Sequence, residues 1–485
     1  MMFYLAKLYG LVTGGFFVLI VTRNLDVTDF GAWGTISTLL SYAAVATFVN
    51  FWTTRLRASG NQAATTTALV LSAILAAPAT ATYVALSSNA SSALKVPLTA
   101  VMVSAFYVPV LYVNSALYAS TYGAAPFYAA VSEVVFETVK LAAALLSTRL
   151  WGVNLEVALL SVLAGHLAQT VALVWSLRED LRLNPQMEVA KKVLSLSWAN
   201  IFSVVPSMIS GLDVLLISAL VSSESVAYYT VVLPFMNAVS YSYFLSRGLY
   251  PRLIASKGSE IYLLNEALRL VLLLALPSSI GVAVVAPNLL YVLKPEYSHV
   301  SLTLRIAAFT AMVSALNGVL ADAIQGVERA DLEGGGFKEL LKSKIVKVQA
   351  LSCAKSIAGV AGIAAVAFTL KDPLHVAAVS RSVWLAATVV ELVVLTMWAG
   401  AFPVLRNLAY AISIYASSSF TAALVAYLLN PLKIREVIAA ALLSASLYSC
   451  ILYLLDPWFK ATAYRAVSLL FKRNRRFSNP SSSQP

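Results

Sequence analysis

Ionisable side chains inside long apolar runs are the first residues to weigh in this sequence. A charge in mid-membrane costs at least a few kcal/mol and persists only where it works or is paired. Glu133, Glu137 and Lys140 stand four and three residues apart, on one helical face where they can pair with one another. Glu266 and Arg269, three apart, can do the same. Asp213, Lys355 and Arg381 lie deep in their runs with no partner within one turn of their own helix. Those three are the stronger candidates to meet a cargo, with an interhelical salt bridge as the plainer alternative. Lys7, Arg305 and Asp322 sit near run ends, where snorkelling suffices. Arg55, Arg57, Arg247 and Arg252 follow apolar runs and read first as orientation signals. Arg57 and Arg252 would also flank an inner mouth, where an anionic head group must enter. Cys353 and Cys450 lie within apolar runs, and His166, His299 and His375 are scattered, so neither a disulfide framework nor a metal centre is expected. An enzyme acting on a phosphate needs converging catalytic groups in an extramembrane loop. The outer loops are short and no Asp-x-Asp occurs, which makes a glycan polymerase or glycosyltransferase the weakest reading.

The elements that position these residues follow from composition. The chain is 60% hydrophobic and 12% charged, with a mean hydropathy of +0.80, where a soluble domain is about a quarter charged. Apolar runs of about 20 residues, the length that spans a bilayer, recur from residue 3 to residue 455 and predict about fourteen helices. Barrel strands would be half as long and alternate in polarity, so an all-α polytopic bundle is expected. The first run lacks a basic leader and a small-residue cleavage site and reads as a retained helix. With Met1 inside, twenty-one basic residues fall in the inner loops and tail against seven in the outer loops. Both termini are therefore expected in the cytoplasm. The net charge of +12 is accounted for by topology and contact with anionic membrane lipids, not by nucleic acid. Proline interrupts spans 3, 4, 7 and 9 at Pro78, Pro109, Pro206 and Pro277. Asn89-Ala-Ser91 forms a glycosylation triplet in an expected outer loop.

The chain repeats itself at an offset of 195 residues, without a gap. Leu25, Thr28, Asp29, Ala32, Trp33, Thr35 and Arg57 fall on Leu220, Ser223, Glu224, Ala227, Tyr228, Thr230 and Arg252. Six spans per repeat is an even number, so the two copies share one orientation, a known transporter arrangement. The expected organisation is a first lobe over 1–182, a cytoplasmic linker over 183–194 and a second lobe over 195–400. Two further spans follow over 401–456, nearly free of charge, and a basic tail over 457–485. Gly334-Gly-Gly336 reads as a hinge before a short basic amphipathic stretch.

The turn Arg23-x-Leu25-x-x-x-Asp29-Phe30-Gly31 is similar to a signature of polysaccharide flippases, which has Gly-Pro where this chain has Asp-Val. These are the O-antigen and exopolysaccharide translocases of the multidrug/oligosaccharidyl-lipid/polysaccharide exporter superfamily. Gly211-Leu-Asp213 with Ser223-Glu224-x-Val226-x-Tyr228, then Pro251, Pro277 with Gly281, and Pro295-Glu-Tyr297 resemble that family's second-half pattern. The resemblance implies two six-helix lobes around a central cavity, lined by spans 1, 2, 7 and 8. It implies translocation of a polyprenyl-phosphate-linked oligosaccharide from the inner to the outer leaflet, in the plasma membrane of a prokaryote. The anionic head would need a wet, net positive cavity, for which Lys7, Arg57, Lys140, Asp213, Arg247, Arg252, Lys355 and Arg381 are the candidate contacts. No cofactor is implied; a coupling ion and glycosyltransferases of the same pathway are the further partners to look for. A cation-coupled drug exporter of the same superfamily is the alternative, and it would want an acid in the first span, which has none.

Overall fold

The computed structural model describes residues 2–246, 260–327 and 343–464. Among them the chain is helical, without a strand. Segments that cross lipid must satisfy every backbone group internally, which favours this outcome. The first lobe holds α1 (Met2–Asn24), α2 (Val27–Ala43), α3 (Asn50–Ala58), α4 (Ala63–Leu94), α5 (Leu98–Ser104), α6 (Tyr107–Ala124), α7 (Pro126–Leu150) and α8 (Leu155–Ser176). The second holds α9 (Met187–Leu220), α10 (Ser223–Thr230), α11 (Leu233–Ser240), α12 (Glu260–Val284), α13 (Ala286–Leu293), α14 (Ser301–Val327), α15 (Lys344–Thr369) and α16 (Pro373–Trp398). Two last helices, α17 (Phe402–Leu429) and α18 (Ile434–Leu455), pair with each other, and α17 lies along α12.

Ten described helical segments are long and apolar enough to cross a membrane, and α2 with α3 makes an eleventh span bent by 49°. The other predicted runs correspond to α7, interrupted by Glu133, Glu137 and Lys140, to α9, and to the broken pair α10 and α11. The repeat is visible in the backbone. The second span of each copy gives way to a 3-10 turn at matching positions, Val45–Val49 and Tyr241–Ser246. The preceding helix of each copy ends at Asn24 and Leu220, and Asp29 and Glu224 occupy the first turn of the helix that follows. Pro78 and Pro277 both sit inside the third span of their copy.

Two boundaries differ from the sequence reading. α9 begins at Met187, so the second half of the expected linker is continuous with the seventh span. There Val189 and Val193 bury themselves against Val49 and Ala64 of the first lobe, which gives the polar-looking segment a reason to stay helical. α4 runs on to Leu94, which places Asn89 on its last turns and not in a loop. Alanine and serine carry the helix that far, and Lys95 ends it in the left-handed conformation, φ 56°. The glycine hinge with most of the basic stretch after it, and the tail from 465, lie outside the described residues.

Each lobe has its own core, Leu40, Val101, Tyr107, Tyr112 and Leu159 in the first and Leu268, Val271, Val319 and Leu320 in the second. A third core joins the lobes at the end of the bundle where α1 finishes, called here the distal end. Phe17, Val21, Leu25 and Phe30 of the first lobe are buried there with Ala227, Val231, Leu290 and Tyr297 of the second. α2 and α10 approach so closely that a Cβ on Gly31 would collide with the backbone carbonyl of Ser223.

Candidate functional site

The two lobes hold their intramembrane charges in different ways. In the first lobe, α1 and α7 lie side by side. Glu133 pairs with Lys7 at 2.9 Å and accepts from the Tyr118 hydroxyl at 2.5 Å. One turn along α7, Glu137 pairs with Lys140 at 2.7 Å and accepts from Thr13 at 3.4 Å. Gly10 and Gly14 leave the space into which the Glu137 carboxylate reaches. Lys140 is enclosed, lying over the rings of Phe136 and Phe17 at 4.8 and 5.1 Å, contacts that favour a desolvated cation. Lys7 remains 41% exposed, so its ammonium can leave Glu133 without unpacking anything. Tyr241 of the second lobe lies within electrostatic range of Lys7, Glu133 and Glu137, so this cluster faces the other lobe.

In the second lobe the charges are sealed. Asp213 accepts from the Tyr229 hydroxyl, from Trp384 Nε1 at 3.0 Å and from the backbone N–H of Val214 at 2.6 Å. Arg381 lies over the Tyr229 ring at 3.7 Å and donates to the Tyr229 carbonyl at 2.6 Å. Both charged residues are buried, with the aromatic ring between them in place of a direct ion pair. Lys355 pairs with Glu391 at 2.8 Å, and Glu391 also accepts from Asn317 at 2.7 Å and Ser352 at 3.2 Å. A buried carboxylate with two neutral donors and a cation is an interhelical brace joining α14, α15 and α16.

Several pairings differ from those the sequence allowed. Arg269 turns away from Glu266 and joins Asp456 at 2.7 Å, Tyr415 at 3.1 Å and the Trp458 ring at 4.4 Å. Lys7 is paired, where snorkelling was the plain expectation. Arg57 forms an ion pair with Asp180, and both side chains are largely buried, so Arg57 does not stand free at a mouth. Arg55 on the same helix is exposed, against Phe51 and Trp52. Arg247 and Arg252 lie outside the described residues. Asp180, Glu391 and Asp456 are ion-pair partners that sequence reasoning did not assign. The only signal for them was that each buried charge needs an opposite one.

An apolar groove of about 460 Å³ lies where α17 and α18 meet the second lobe. Leu273, Pro277 and Gly281 of α12 form one wall, and Ala422, Ala423 and Ala441 of α17 and α18 the other. Nothing stands within 4 Å of where a Gly281 Cβ would be, so the glycine keeps the groove open.

No protein-family model matches the chain, and no curated protein sequence does. Solved structures do. A lipid II flippase, MurJ, in an inward closed conformation superposes with a TM-score of 0.71 at 12% identity, over 96% of this chain and 99% of that one. A multidrug resistance MATE transporter of the MOP superfamily in its inward-facing conformation gives 0.63 at 14% identity, over 82% of this chain and 95% of that one. An outward-facing MATE transporter gives 0.53 at 16% identity, over 83% and 94%. The chain therefore has the fold shared by these transporters. It is a multi-pass membrane protein with a transporter's architecture.

Proposed function

We propose that this protein is a flippase that moves a polyprenyl-phosphate-linked oligosaccharide, or a related glycolipid, from the inner to the outer leaflet by alternating access. The observation that carries the reading is the coverage of the likenesses. The flippase superposes on 96% of the chain and the MATE exporters on 82–83%. The flippase likeness therefore leaves less of the chain unaccounted for than the exporter likenesses do. α17 and α18 wall the apolar groove, whose dimensions and lining suit a hydrocarbon tail. The head group would meet the Lys7 cluster, where the exposed ammonium exchanges Glu133 for a phosphate oxygen. On this reading the distal end faces outward, the termini lie in the cytoplasm of a prokaryotic cell, and the product feeds cell-surface glycan assembly.

A specific observation keeps the exporter in view. α1 has no acid, yet Glu133 and Glu137 of α7 face it, which would give a coupling cation or a cationic substrate two carboxylates. Proteoliposomes separate the two. Leaflet exchange of a fluorescent lipid-linked oligosaccharide without efflux of a cationic dye supports the flippase. The groove is tested by Gly281→Phe, whose Cβ meets nothing within 4 Å and whose ring would enter the groove: glycolipid exchange should fall about tenfold or more, since a blocked chain loses several buried methylenes at about 0.8 kcal/mol each. Efflux of the dye with no glycolipid exchange would replace the proposal by the exporter.

A further inference from the structure

The lobes are joined at the distal end by two lysines that mirror one another. Lys95, at the end of the third span of the first lobe, donates to the carbonyl of Val221 at 3.0 Å. Lys294, beyond the third span of the second lobe, donates to the carbonyl of Leu25 at 3.1 Å. Val221 and Leu25 are each the residue that follows the first helix of their copy, and each closes that helix with an N–H bond to the residue four back, Ile217 or Val21. So each lobe sends one lysine across the seam to the C-terminal carbonyl of the other lobe's first helix. A cation is favoured there, because the carbonyls at a helix C-terminus are unpaired and carry its negative dipole end.

Two further features point the same way. Lys95 is one of two non-glycine residues at positive φ among the described residues, in a helix-ending position where glycine or asparagine is the usual choice. A lysine there pays for its backbone conformation only if its long side chain is needed. Its own carbonyl accepts from Ser223 at 3.2 Å, and the preceding Leu94 carbonyl accepts from Ser218 at 2.6 Å, both from the second lobe. On the other side Glu296 holds Lys294 at 3.1 Å, and Arg23 of the first lobe donates to the Val292 carbonyl at 2.8 Å.

We infer that Lys95 and Lys294 form a paired latch that holds the distal gate shut and must be released, both arms together, for the lobes to part there. The bonds across the seam run to backbone carbonyls, and Glu296 beside Lys294 is the carboxylate paired with one of the two arms. The two arms are alike in place, each lysine following the third span of its copy and reaching the end of the other copy's first helix, and each should contribute a similar bias toward the closed state. The inference rests on the transporter fold alone and is indifferent to what is carried.

The test uses Thr35, fully buried at the seam and 3.3 Å from Ser218 of the other lobe. Thr35→Cys is placed in a Cys353→Ser/Cys450→Ser background, and a membrane-impermeant maleimide is applied to right-side-out and inside-out vesicles. Lys95→Gly relieves the positive φ, so the protein should fold at least as well while losing one arm. Lys95→Gly and Lys294→Met should each speed labelling about threefold, and the double variant about tenfold, as independent contributions multiply. Lys95→Arg, which keeps a donor in reach, should label at the parent rate. A double variant labelled from either side no faster than the parent would overturn the latch, and so would an equal rise in Lys95→Arg.

Discussion

The charged cluster between α1 and α7 and the charged network within the second lobe use the same residue types to opposite ends. In the first, two carboxylates are matched by two lysines, but Lys7 is exposed and the group faces across to Tyr241. In the second, Asp213 and Glu391 accept from aromatic and amide donors, while Arg381 donates to the Tyr229 carbonyl and Lys355 to Glu391, all inside one lobe. The difference teaches that a charge's depth in an apolar run does not say how it is held. What would distinguish a working charge from a bracing one is whether it is exposed enough to exchange its partner for a group of the substrate. By that measure we propose Lys7 as the residue to meet a substrate, while Asp213, Lys355 and Arg381, the foremost candidates by sequence, are held by partners within the second lobe.

The largest effect should come from breaking the brace. Lys355→Leu leaves Glu391 uncompensated and should cost about 3–5 kcal/mol, seen as a large fall in melting temperature in detergent. Adding Glu391→Leu should restore most of that loss. A single variant as stable as the parent would mean that the pair is not holding the helices. Arg269→Met should behave in the same way, since it strands Asp456 beneath α17, with loss of the α17–α18 pair from the second lobe as its mark in limited proteolysis.

Smaller effects are expected where charges are accessible. Lys7→Gln should change stability by less than about 1 kcal/mol, as for other partly exposed pairs, while raising the half-saturation concentration for glycolipid about fivefold, a loss of about 1 kcal/mol toward the phosphate. Arg57→Gln should alter half-saturation by less than about twofold, because Asp180 already neutralises that guanidinium. A tenfold effect at Arg57 would show that the Asp180 pair opens during capture and would move the head-group entry point to α3.

The architecture was legible in the sequence because its signals are long and repetitive. Apolar length gave the spans, and the matching of Leu25, Asp29 and Trp33 with Leu220, Glu224 and Tyr228 gave two copies in one orientation. The charged residues at issue were also legible, since nothing else stands out from such an apolar background. Their partners were not. Lys355 and Glu391, or Arg269 and Asp456, are 36 and 187 residues apart, and only helix packing brings them together. The role of Lys95 was hidden for a related reason, as an outer-loop lysine looks ordinary until its backbone angle and its reach to Val221 are seen. α17 and α18 were set aside for lack of charge, whereas the groove depends on that very lack.

The central claim, that the first lobe handles the head group while the second braces the fold, is tested most directly by leaflet exchange of a fluorescent lipid-linked oligosaccharide, measured against substrate concentration in two variants. The account predicts a raised half-saturation concentration in Lys7→Gln and an unchanged one in the Lys355→Leu/Glu391→Leu double variant. The reverse result, with the double variant impaired in half-saturation and Lys7→Gln like the parent, would contradict it.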